Sequence, residues 1–127
     1  MTTLPNLHDG FFDGVWLSAD KRARFFVRTV AGERSTIISI DVEALNICGL
    51  RAGNIIFDLV LIAPDKLTEQ DIEQAYDLKS AEVEMARQLL GKAQEQGLSG
   101  LEITSSYGAE GIVICRTVHT VPEHVLA

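Results

Sequence analysis

The chain has 127 residues, of which 46% are hydrophobic and 23% are charged, and its formal net charge at pH 7 is −7. This length suits one domain that buries its own core, and this composition excludes a disordered chain. The acidic balance disfavours nucleic acid as a partner, because nucleic-acid binders carry basic patches. We therefore predict a single globular domain over residues 1–127.

Targeting signals are the next class that the sequence disfavours. Residues 1–9 lack the charged and apolar regions of a signal peptide. The longest apolar run, Ile55 to Ala63, is about half of the roughly 20 residues that a membrane-spanning helix needs. We expect a cytoplasmic protein without a membrane span.

Cys48 and Cys115 have no metal-ligand or redox spacing, and both are interpreted as buried thiols.

Strand patterns fill the first half of the chain. Short runs rich in aromatic and β-branched residues are bounded by turn residues. They are Phe11 to Ser18, Arg22 to Val30, Ser35 to Ile40 and Asn54 to Ala63. The first three are separated by connections so short that only antiparallel neighbours can be joined, which predicts a meander.

Alternation within these runs predicts which faces are buried. Between Arg22 and Val30 the arginines and Phe26 share one side, which indicates a wet, basic sheet face. Ile55 to Ile62 is apolar on both sides, which is typical of a central strand covered on each face. Asp41 to Leu50 fits a strand or a helical turn equally well, and we interpret it as a loop-like connector.

The pattern becomes helical after Pro64. Thr68 and Asp71 match a capping box, so a helix is expected to begin near Glu69, and Gly97 is expected to end it. The apolar spacing allows one long helix or two short ones. We favour a break between Asp77 and Ser80, with Ser80 as a candidate cap for the second helix.

Two further strand patterns close the chain, Leu101 to Ser105 and Gly111 to Val121, and they predict a hairpin. Together the segments predict an α+β fold. We expect a mainly antiparallel sheet, made of the meander and the C-terminal hairpin, packed against one or two helices.

Negative charge is concentrated on the predicted helices. Between Glu69 and Glu84 the sequence has six acidic residues against Lys79 alone. A local field of this sign would steer a basic protein toward the helices, although a solvated helix face also needs charge. The candidate partner-binding residues are Glu69, Glu73, Asp77 and Glu84.

A small-molecule site is the alternative. His8 and Asp9 offer a base beside an orienting carboxylate, and Asp13 and Trp16 follow on the first strand. These four residues are the candidate ligand-binding set for a pocket between sheet and helix. No Ser or Cys has a nucleophile motif, and the dispersed histidines lack metal-ligand spacing. We assign no catalytic residue, no metal and no cofactor.

Several short pieces of the chain carry a family resemblance. They are Leu7-His8-Asp9-Gly10, the hairpin from Arg28-Thr29 to Gly32-Glu33-Arg34, Gly53-Asn54-Ile55-Ile56, and Ser105-Ser106-Tyr107-Gly108-Ala109 with Cys115. Together they resemble small uncharacterised bacterial α+β domains, some of which resemble immunity proteins of polymorphic toxin systems. The resemblance implies a small cytoplasmic protein that blocks a toxin by binding it, without catalysis or cofactor.

Three hypotheses follow in order. The first is a non-catalytic protein-binding domain, immunity-like, whose acidic helical surface meets a basic protein. The second is a small-molecule-binding domain or minor enzyme. The third is a homo-oligomer, which the apolar residues Phe11, Phe12 and Trp16 and the apolar strand from Ile55 to Ile62 favour.

Overall fold

A computed structural model describes residues 4–123 of the chain. The described residues form an antiparallel sheet and two α-helices, which confirms the predicted α+β class. The elements are β1 (Phe11–Leu17), β2 (Ala23–Arg28), β3 (Arg34–Ile40), β4 (Ala44–Cys48), β5 (Asn54–Ile62), α1 (Glu69–Tyr76), α2 (Val83–Glu95), β6 (Ser99–Tyr107), β7 (Glu110–Cys115) and β8 (Thr117–Pro122). A short 3-10 helix, Pro64–Lys66, lies between β5 and α1.

The sheet folds back on itself. Its strand order is β4-β7-β6-β5-β1-β2-β3-β8, and every neighbouring pair is antiparallel. Only Arg116 separates β7 from β8, so the two strands form one bent segment. This segment contributes one strand near each end of the strand order. It pairs with β4 through β7 and with β3 through β8. We call β1, β2, β3 and β8 the first half of the sheet, and β4, β5, β6 and β7 the second half.

The main core lies between the two halves. It takes large side chains from both, including Phe12 and Phe25 from the first half and Ile103 and Val113 from the second. A second apolar cluster lies under the helices on the outer side of β7, where Ile112 and Ile114 contact residues of α1 and α2. The helices therefore cover β4 and β7 of the second half, and the outer face of the first half faces solvent.

The strand that is covered on both faces is β7, and the prediction that β5 takes this position was wrong. Residues Gly111 to Cys115 are all buried, between the core on one side and the helices on the other. The helices do not extend over β5. Phe57, Val60 and Leu61 on this strand are 52%, 40% and 38% exposed.

The prediction that Asp41 to Leu50 forms a loop-like connector was also wrong, because this segment contains β4. Its pairing partner β7 lies more than sixty residues further along the chain, as in the pair Leu45 and Val113. Such a long-range pairing leaves no local sequence signal. Cys115 is buried as expected, but Cys48 is exposed at the end of β4.

The predicted break between the helices is confirmed. Thr68 caps α1 in a capping box with Asp71, and Asp77 ends the helix in the left-handed conformation with φ 54°. The residue that caps α2 is Glu82, without a side-chain hydrogen bond, so Ser80 does not have the predicted role. Among residues 4–123, no helix has both the length and the apolar character that crossing a membrane requires.

Candidate functional site

The first candidate site is the acidic helical surface, which we define as Glu69, Glu73, Asp77, Glu82 and Glu84. The apolar cluster under α1 and α2 holds both helices on the sheet, so these side chains project from a fixed support. Glu82 and Glu84 are exposed at the start of α2, and Asp77 is exposed at the end of α1. Glu69 and Glu73 are half-buried on α1.

One arginine links part of this surface. Arg87 Nη1 lies 3.3 Å from Glu84 Oε2, and Arg87 Nε lies 3.9 Å from Glu69 Oε2. The structure thus brings Glu69 and Glu84 together across the two helices. Glu73 and Asp77 form no ion pair among the described residues. The sequence analysis missed Arg87, although its position three residues after Glu84 is a known pairing spacing.

Apolar side chains lie among the acids. Residues 79–85 are all exposed, and in this run Val83 is 42% and Met85 is 49% accessible. Flexible methionine side chains adapt to irregular partner surfaces. Val83 and Met85 therefore expose apolar surface beside Glu82 and Glu84.

Two ionisable groups near α1 have raised pKa values, chiefly because they are buried. Burial raises the pKa of the Glu102 carboxyl on β6, and the charge of Asp71 raises it further. Burial also raises the pKa of the Tyr76 hydroxyl, with a contribution from Glu43.

The second set of candidates begins with His8 and Asp9, which lie close together. His8 Nε2 is 3.7 Å from Asp9 Oδ2. His8 Nδ1 is 2.7 Å from the carbonyl oxygen of Phe57, and its ring meets the Phe57 ring edge-on at 5.3 Å. This arrangement fastens the segment before β1 to β5.

Asp13 and Trp16 have other partners. Asp13 accepts hydrogen bonds from Arg28 Nε and Nη2 at 2.6 and 2.9 Å. The guanidinium carbon of Arg24 lies 4.8 Å from the Trp16 ring centroid. The structure thus places the four predicted ligand residues in three separate contact groups around β1, and a ligand site formed by them stays a prediction.

A third surface is the outer face of β1 and β2, which we call the arginine–aromatic face and define as Phe11, Trp16, Arg24, Phe26 and Arg28. Cross-strand register places Phe11 opposite Arg28 and Trp16 opposite Arg24. Arg28 lies 4.6 Å from the Phe11 ring centroid, which repeats the arrangement at Trp16. The predicted basic face of this strand is confirmed, because alternate residues of β2 are buried.

Within residues 4–123, no group of three or more His, Cys, Asp or Glu side chains is arranged to hold a metal ion. No family model matches the chain, and no curated protein or solved structure matches it.

Proposed function

We propose that this chain is a non-catalytic protein-binding domain that docks a basic protein on its acidic helical surface. The observation that carries the proposal is the charge that remains after local pairing. Between Glu69 and Arg87 there are six acidic residues and two basic ones. Within residues 4–123 the only ion pairs of Arg87 are those with Glu69 and Glu84, so most of the excess negative charge on the helices faces solvent.

Two features of the helices support docking over simple solvation. Val83 and Met85 are exposed between and beside the acids, so a partner can bury apolar area where it meets charge. The helices are also fixed by the buried residues Ile72 and Ala86, so little ordering is needed on binding. Charge then steers the encounter, and the apolar contacts slow dissociation.

The test is affinity capture from a lysate of the protein's own source at low and high salt, followed by mass spectrometry. The helix variant combines Glu73→Lys, Asp77→Lys and Glu84→Lys. The control variant combines Asp20→Lys, Glu33→Lys and Glu123→Lys, which change the net charge equally at exposed positions on the half of the sheet that the helices do not cover.

Wild type and the control variant are expected to retain the same basic protein at low salt and to lose much of it at high salt, because salt screens exposed charges. The helix variant is expected to lose it at both salt concentrations. Equal retention by all three proteins would exclude docking on the helices.

A further inference from the structure

Arg24, on the arginine–aromatic face, forms no direct ion pair among the described residues. Its link to a carboxylate is indirect and runs through Ser18 to Asp20. Arg28 is held by Asp13, and the other exposed arginines nearby also have acidic partners. These pairs are Arg22 with Asp20 at 3.6 Å and Arg34 with Glu123 at 3.3 Å. Among the described residues, no carboxylate lies within ion-pair distance of Arg24.

Arg24 is nevertheless held in place. Its guanidinium stacks over Trp16, and its Nη1 donates a hydrogen bond to Ser18 Oγ at 3.2 Å. Ser18 in turn donates to Asp20, which fixes the hydroxyl. A guanidinium has five N–H donors in a rigid fork, so a stacked Arg24 presents an oriented site for a planar anion such as a carboxylate.

The surface beside Arg24 is apolar and open. Gly14 lies opposite Phe26 across the β1–β2 pair, and a Cβ atom at Gly14 would meet nothing within 4 Å. Trp16 is 56% exposed and Phe26 is 37% exposed on the same face. An apolar side chain of a bound molecule can therefore contact the surface at Gly14 while a neighbouring carboxylate of the same molecule reaches Arg24.

We propose that the arginine–aromatic face is a second docking surface, and that it binds a segment of a partner protein in which an acidic residue adjoins an apolar one. Charge complementarity at Arg24 selects the carboxylate, and the aromatic residues supply the buried contact, as Trp and Arg do at interface hot spots. Trp16, Phe26 and the open surface at Gly14 give this face apolar area beside a single cation, which suits a protein segment better than a nucleic-acid backbone.

The probe is a random copolymer of glutamate and tyrosine, and the readout is the fluorescence of Trp16, which is the chain's single tryptophan. Addition of the copolymer is expected to change this fluorescence saturably. Arg24→Glu is expected to weaken binding by about tenfold or more, because it removes an interfacial charge pair. Arg24→Gln, which introduces no repulsion, should weaken it less.

The matched control is Lys92→Glu, which makes the same charge change at an exposed position of α2 and should leave copolymer binding unchanged. Circular dichroism of each variant verifies the fold. Absence of any fluorescence change, or equal weakening by Lys92→Glu, would overturn the proposal. Tighter binding of a thymidine oligonucleotide than of the copolymer would also overturn it, in favour of a nucleic-acid site. The helix variant tests the other surface independently and should bind the copolymer at least as well as wild type.

Discussion

The side chain of Asn54 fills the space that a side chain at position 108 would occupy. Gly108 has φ +93°, and a Cβ atom there would lie 2.3 Å from Asn54 Oδ1. That oxygen accepts hydrogen bonds from Arg51 N at 2.8 Å and Ala109 N at 3.0 Å, and Asn54 Nδ2 donates to Phe12 O at 3.1 Å. One buried amide thus ties β1, the start of β5 and the β6–β7 turn together.

Replacing Asn54 by alanine should lower the free energy of unfolding by about 2–4 kcal/mol, because several buried backbone groups lose their partner at once. Urea unfolding measures the change. Asn6→Ala is the matched control, since Asn6 is exposed and its side chain accepts one local hydrogen bond from His8 N. A loss at Asn54 no larger than at Asn6 would mean that the amide does not hold these segments together.

Replacing Gly108 by alanine should cost about 2 kcal/mol or more, because the methyl group meets Asn54 and the backbone has a positive φ. Gly91 offers a contrasting control. It lies exposed within α2, and a Cβ atom there would meet nothing within 4 Å. Gly91→Ala should therefore stabilise the protein by about 0.5–1 kcal/mol. Thermal unfolding of both variants checks that Gly108→Ala lowers the stability of the protein and that Gly91→Ala raises it.

The two helix starts should respond differently to loss of a hydroxyl. Thr68→Ala removes the capping box of α1 and should cost about 1 kcal/mol. Ser80→Ala should change stability by less than about 0.5 kcal/mol, because Glu82 is the cap residue of α2. Denaturant midpoints of the two variants give the comparison. A larger loss for Ser80→Ala would contradict the observed start of α2.

Local sequence patterns predicted the elements that bury one face and expose the other. In β2 the buried residues Ala23, Phe25 and Val27 alternate with outward-facing ones, so period two alone identified the strand and its wet face. The capping box at Thr68 likewise depends on neighbouring residues only. These signals lie within a few residues, and the sequence displays them directly.

The remaining features depend on distant partners. Segment 44–48 becomes a strand because β7 pairs with it, and β5 is uncovered because the helices lie over β7. The stacking of Arg24 on Trp16 depends on the β1–β2 register, which is shifted by a bulge before Gly14. Alternation along a single strand predicts the face on which a side chain lies, but it does not predict which side chain lies opposite.

The two cysteines should differ in reactivity. Cys48 is exposed, whereas Cys115 is fully buried between the two halves of the sheet. A thiol reagent at pH 8 should therefore modify one thiol of the native protein quickly and the second only on unfolding. Cys48→Ala should abolish the fast reaction. Rapid modification that persists in Cys48→Ala would show that the core opens near Cys115.

Stability should fall at high pH because of Cys115. Burial raises the pKa of its thiol from 9.0 to about 11. Between these values the unfolded chain loses the proton while the native protein keeps it, so deprotonation favours unfolding. In a Cys48→Ala background, the free energy of unfolding should drop by about 2 kcal/mol from pH 9 to pH 11 through this group alone.

Cys115→Ala in the same Cys48→Ala background isolates this contribution, because the other titrating groups remain in both proteins. Removing the buried sulfur should lower stability at pH 8, since it leaves a small cavity. The difference between the two proteins should then shrink as the pH rises above 9, and urea unfolding at several pH values measures it. Parallel pH profiles would mean that the native thiol ionises as readily as the unfolded one, and that its burial does not protect the proton.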